Sequence, residues 1–141
     1  MKTRYSSLVA LKKDAMKKSE RVVQQANAAL NSASVALELS YNALKNIQMP
    51  LRGSINDFVA SKTLIAAQRD VIKHNQDWVE YAQNQVELAN EKLKSDTIEY
   101  EKFNYLELGE IKKIIKLQKA KESKELDEIA VMTYNRNRQE A

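Results

Sequence analysis

His74 and the carboxylate pairs Glu99/Glu101 and Asp127/Glu128 are the residues of this chain whose types suit acid–base or metal chemistry. Their spacing supports neither. His74 is the sole histidine, it lies between Lys73 and Asn75, and the chain has no cysteine to complete a ligand set. Carboxylates one or two residues apart do not face each other on a helix. There is no glycine-rich phosphate loop. No catalytic residue, metal site or cofactor is therefore expected, and the chain reads as a non-enzyme with His74 an exposed helix residue.

Two other constellations read as binding surfaces. Leu64, Val71 and Trp78 recur every seven residues, one position ahead of Ile65, Ile72 and Val79. A second apolar stripe beside a seam either flanks that seam or offers a strip to a partner protein. The other constellation is basic. Lys2, Arg4, Lys12, Lys13, Lys17 and Lys18 stand near the N-terminus against the single acid Asp14, and a second basic run extends from Lys112 to Lys124 around Glu122. Between Asp77 and Glu110 the sign reverses. The basic residues admit a solvated helix face, a nucleic-acid contact, or an acidic protein cavity or anionic membrane. No aromatic platform or base-reading motif accompanies them, so nucleic acid is not expected.

The elements that must hold these residues are helices. In 141 residues there are two glycines and one proline, and Pro50 and Gly53 fall together in QMPLRGSIND. Proline and glycine are the strongest helix breakers, so one break between two long uninterrupted stretches predicts a hairpin. The expected fold is all-α: two long helices in an antiparallel coiled-coil hairpin, the second longer, as one domain over 1–141. The helices are expected over 3–49 and 57–136 with the turn at 50–56. Charged residues at 30% and aromatics at 6% agree with long helices.

Along the first helix the inward stripe reads Leu8, Leu11, Ala15, Ser19, Val22, Ala26, Leu30, Ala33, Leu37, Tyr41, Leu44, Ile47 and Leu51, at roughly 3.6 residues per step. Along the second, Ile72, Val79, Val86, Leu93 and Tyr100 repeat in sevens beside Asn75, Ala82, Ala89, Asp96 and Phe103, a coiled-coil pattern. Asn75 and Asp96 are read as polar, register-setting breaks. Ser54 and Asp57 resemble a capping box. The surplus length of the second helix predicts either a projecting arm or a fold-back at Gly109, with the arm expected and Gly109 its flexible point. An antiparallel return brings the two basic runs to one end. No stretch reaches the length and apolarity of a membrane span, and a cytoplasmic location is expected.

At its two ends the chain resembles the FliJ-type flagellar export family. Arg4, Tyr5, Leu8, Val9, Leu11 and Lys12 match its N-terminal pattern of Arg-aromatic followed by Leu-hydrophobic-x-Leu-basic. Lys124, Glu125, Leu126, Asp127, Glu128, Ile129 and Ala130 match its basic run followed by an acidic, Leu-Asp-Glu-hydrophobic-Ala segment. The resemblance implies a component of the flagellar type III export apparatus, similar in shape to the stalk subunit of rotary ATPases. It implies a rod linking the export ATPase hexamer to the cytoplasmic part of the membrane export gate, with export chaperones as further partners. It implies a monomer peripheral at the cytoplasmic side of the inner membrane. By this analogy Arg4, Lys12, Lys13, Lys116, Lys119 and Lys124 meet the ATPase, and Leu64, Val71 and Trp78 meet the gate or a chaperone. The rival readings are a prefoldin-like holdase chaperone and a structural coiled-coil adaptor.

Overall fold

The computed structural model describes the chain from Lys2 to Glu140. Two helices make up nearly all of it, α1 (Ser6–Lys45) and α2 (Ile55–Glu140), with no strand among the described residues. They pack against each other as an antiparallel hairpin whose second helix is the longer.

Local chemistry sets each boundary. The Thr3 amide donates to Ser6 Oγ at 2.8 Å and the Tyr5 amide to Thr3 Oγ1 at 3.1 Å, so Thr3 caps a first turn closed by the Ser6 amide on the Thr3 carbonyl, and α1 itself begins at Ser6 rather than 3. α1 stops at Lys45, four residues short of 49. Pro50 has no amide to offer, and its ring clashes with the carbonyl four residues before it, which is that of Asn46. α2 opens at Ile55, two residues before 57, on the Ser54 cap. The Ser54 amide donates to Asp57 Oδ2 at 3.1 Å and the Asp57 amide to Ser54 Oγ at 3.4 Å. Gly53 enters this cap with a φ of +153°, and a Cβ there would sit 2.6 Å from Asp57 Oδ2. Only glycine fits that step.

α2 then runs unbroken through Gly109 to Glu140, past the expected end at 136. The fold-back alternative at Gly109 is therefore not what forms.

Contacts divide the chain into two compact units, one of residues 15–96 and one of the residues up to Asp14 together with those from Thr97 onward. In the first, the covered positions of α1 alternate steps of four and three: Ser19, Val23, Ala26, Leu30, Ala33, Leu37, Ser40 and Leu44. This is a heptad seam, not the expected stripe of 3.6. Val22 and Tyr41, expected inward, are exposed, as is Leu51; Val23 and Ser40 take the inward places. At 40/41 a count by apolarity selects the tyrosine, whereas the register admits the serine; at 22/23 two valines give such a count nothing to choose between.

The core line of this unit is narrow. Ala33, Ala82, Ala89, Ser19 and Ser40 are buried, and Ile72 is the one large side chain that joins them. Across the seam Ser19 meets Asp96, Ala36 meets Asn75 and Ser40 meets Gln68. Two helices alone cover a side chain from one side only, so apart from Ile72 the residues that vanish from solvent on the contact line are small. They also let the helices approach closely. Polar members of the seam are all engaged: Ser19 Oγ donates to Asp96 Oδ2, Gln68 Nε2 to the Ser40 carbonyl at 2.9 Å, and Asn75 Nδ2 to the Ala36 carbonyl at 3.3 Å. Among the described residues no buried side-chain donor or acceptor lacks a partner. Asn75 and Asp96 thus hold seam positions through hydrogen bonds across to α1.

In the second unit, Ser6 Oγ donates to Glu107 Oε1 at 3.0 Å, Arg4 Nη2 lies 3.8 Å from Glu110 Oε2, and Lys12 Nζ 3.7 Å from Glu99 Oε2. Leu8 and Leu11 are exposed here, while Val9 and Lys12 turn toward α2. The last covered residue of α2 is Ile114; from Ile115 to Gln139 every residue is exposed. α1 has no residues left to cover that stretch.

Candidate functional site

The six basic residues expected at one end divide by environment. Lys2–Lys13 return beside the acidic stretch Thr97–Ile111, not beside Lys112–Lys124, because the register brings Ser6 to Glu107. The basic tip expected from both runs together does not form. Lys12 is committed to Glu99 and also lies over the Phe103 ring at 5.7 Å. Arg4, 72% exposed, reaches Glu110 and stacks over Tyr5 at 5.0 Å. Lys13 points to solvent. Lys116, Lys119 and Lys124 stand on the exposed part of α2, with Lys116 and Lys119 on one face by their spacing of three and Lys124 turned away from it.

That exposed end of α2 carries a feature the sequence reading passed over. Leu126, Ile129, Val131, Met132 and Tyr134 are all exposed within nine residues. At 100° per residue they point in nearly every direction around the helix. Lys116, Lys119, Lys121 and Lys124 precede them and Arg138 follows. The signal was available: three of the five sit at 126, 129 and 132, which a search for a stripe facing α1 discards. Shallow depressions lined by Ile129, Met132 and Thr133 open directly to solvent.

In the unit of residues 15–96, Leu64, Val71 and Trp78 are each about half exposed along one side of the α2 seam. The other side of the seam is polar, with Gln76 Nε2 donating to Tyr41 Oη at 2.6 Å. The two flanks of the seam are therefore chemically unlike. His74 is exposed as expected and borders, with Asp77, Trp78 and Tyr81, a shallow depression at the end of the strip.

These observations define the class as an antiparallel coiled-coil hairpin whose exposed chemistry is carried by helix faces rather than loops. The model of the family described as "Flagellar FliJ protein" matches residues 1–139, and the chain belongs to that family. It is accordingly a component of the flagellar protein export apparatus. No curated protein and no solved structure matches the chain.

Proposed function

We propose that this protein acts as a stalk that couples the flagellar export ATPase to the export gate, with the exposed end of α2 seated in the ATPase ring. The observation that carries this reading is the segment from Leu126 to Tyr134. A helix end whose apolar side chains point in several directions, with only Asp127, Glu128 and Thr133 between them, is suited to enclosure rather than to one flat contact. The lysines from Lys116 to Lys124 before it suit an acidic mouth, and they steer association as well as strengthen it. Arg4 and Lys12, engaged with Glu110 and Glu99, contribute to the end of α1 against α2 more than to the partner; Lys13 remains available to it.

Leu64, Val71 and Trp78 then form the second contact, with the cytoplasmic part of the gate or with an export chaperone. An aromatic anchor flanked by two aliphatic residues has the composition of a binding hot spot. A monomer bridging these two partners resides on the cytoplasmic side of the inner membrane.

The test is twofold. Purified protein added to the cognate export ATPase raises its activity, and Lys116→Glu/Lys119→Glu/Lys124→Glu weakens that rise. Leu64→Asp/Val71→Asp leaves the helical circular dichroism and the ATPase effect in place while removing the gate or chaperone contact. An unaltered ATPase rate in the presence of the wild-type chain counts against the whole reading.

A further inference from the structure

The turn between α1 and α2 concentrates apolar groups in solvent. Leu51 is 100% exposed and Ile55 82%, with Met49, Phe58 and Val59 exposed around them. The local chemistry explains why. Pro50 ends α1, Gly53 redirects the chain and the Ser54–Asp57 cap launches α2, so nothing packs across the residues between. Ile55, Phe58 and Val59 share one face of the first turns of α2 by their spacing of three and four, and Lys62 extends that face.

The charges around this crown are one-signed. From Lys45 to Ala67 the basic residues are Lys45, Arg52 and Lys62, and the sole acid is Asp57. Asp57 is turned away from the apolar face and accepts from the Ser54 amide. Apolar groups at a convex tip with cations beside them match the boundary between lipid headgroups and acyl chains.

We propose that this turn docks on an anionic bilayer surface, placing Leu51, Ile55, Phe58 and Val59 at the headgroup–acyl boundary and Lys45, Arg52 and Lys62 against lipid phosphates. A second copy of the chain is the weaker occupant. A stable protein interface takes roughly 800 Å² from each partner, more than five side chains, Met49 and Phe58 only partly exposed, supply. Bilayer binding needs no shape complement and grows with each apolar group that enters. No helix among the described residues is long and apolar enough to cross a membrane, so this contact is peripheral.

The experiment is co-sedimentation of the full chain with vesicles of phosphatidylcholine alone or mixed with phosphatidylglycerol. The wild-type chain pellets with the mixed vesicles and far less with phosphatidylcholine. Leu51→Asp/Ile55→Asp lowers that binding at least roughly tenfold. Both positions are exposed, and an acid at the first helical residue suits the helix dipole, so circular dichroism stays unchanged. Lys116→Glu/Lys119→Glu/Lys124→Glu leaves vesicle binding in place. The proposal is overturned if the wild-type chain stays in the supernatant, if the turn variant pellets like wild type, or if the α2 lysine variant alone loses binding. A wild-type dimer that Leu51→Asp/Ile55→Asp dissolves overturns it too, by assigning the turn to a second copy.

Discussion

Lys12 lies 3.7 Å from Glu99, with its ammonium 5.7 Å from the Phe103 ring beside it. This pairing puts the basic N-terminus against the acidic part of α2, in the same register as the Ser6–Glu107 hydrogen bond. It also leaves the second basic run, beyond Ile114, with no acidic counterpart on α1. Of the N-terminal run, Arg4 and Lys12 are paired with Glu110 and Glu99, while Lys13, Lys17 and Lys18 stand exposed like the lysines from Lys112 to Lys124.

Reversing the charge at Lys12 tests that division. Lys12→Glu sets two carboxylates against each other, and because both side chains are partly solvated the loss of stability is under about 1 kcal/mol. Urea unfolding followed by circular dichroism measures it. Stimulation of the ATPase by this variant remains close to wild type, unlike that of the Lys116, Lys119 and Lys124 variant.

The two glycines respond in opposite senses. Gly53→Ala forces a side chain into a positive-φ position and against Asp57 Oδ2, breaking the cap, and costs about 1–2 kcal/mol. Gly109→Ala meets nothing within 4 Å and stabilises α2 by about 1 kcal/mol. Paired denaturation curves give both signs in one experiment.

The narrow seam is tested by volume. Ala33 is 0% exposed, so Ala33→Leu pushes the helices apart and destabilises by about 1–3 kcal/mol. Ser34→Leu, one position round at an exposed site, is expected within about 0.5 kcal/mol of wild type. Thermal melts of the two proteins separate the effects.

The hairpin was legible because one proline and one neighbouring glycine interrupt a chain otherwise built of helix formers, and because Ile72 to Tyr100 repeats in sevens. The seam of α1 was not. Ser40 and Lys12 occupy inward positions that a hydrophobicity count gives to Tyr41 and Leu11, and only pairing with α2 reveals the correct phase. Helix ends shifted for similar reasons, since caps such as Thr3–Ser6 depend on side-chain geometry. The exposed apolar groups at Leu51 and around Ile129 were misread or passed over because an unpartnered face has no internal stripe to betray it.

The central claim is that the end of α2 enters the export ATPase ring through the exposed apolar side chains between Leu126 and Tyr134. The direct measurement is the rate of ATP hydrolysis by the cognate export ATPase, titrated with wild-type chain and with Ile129→Asp/Met132→Asp. Both substitutions fall at exposed positions, so the variant keeps its helical content. The wild-type chain is predicted to raise the rate and the variant to leave it near the basal level. Equal stimulation by the two proteins, or none by either, contradicts the account.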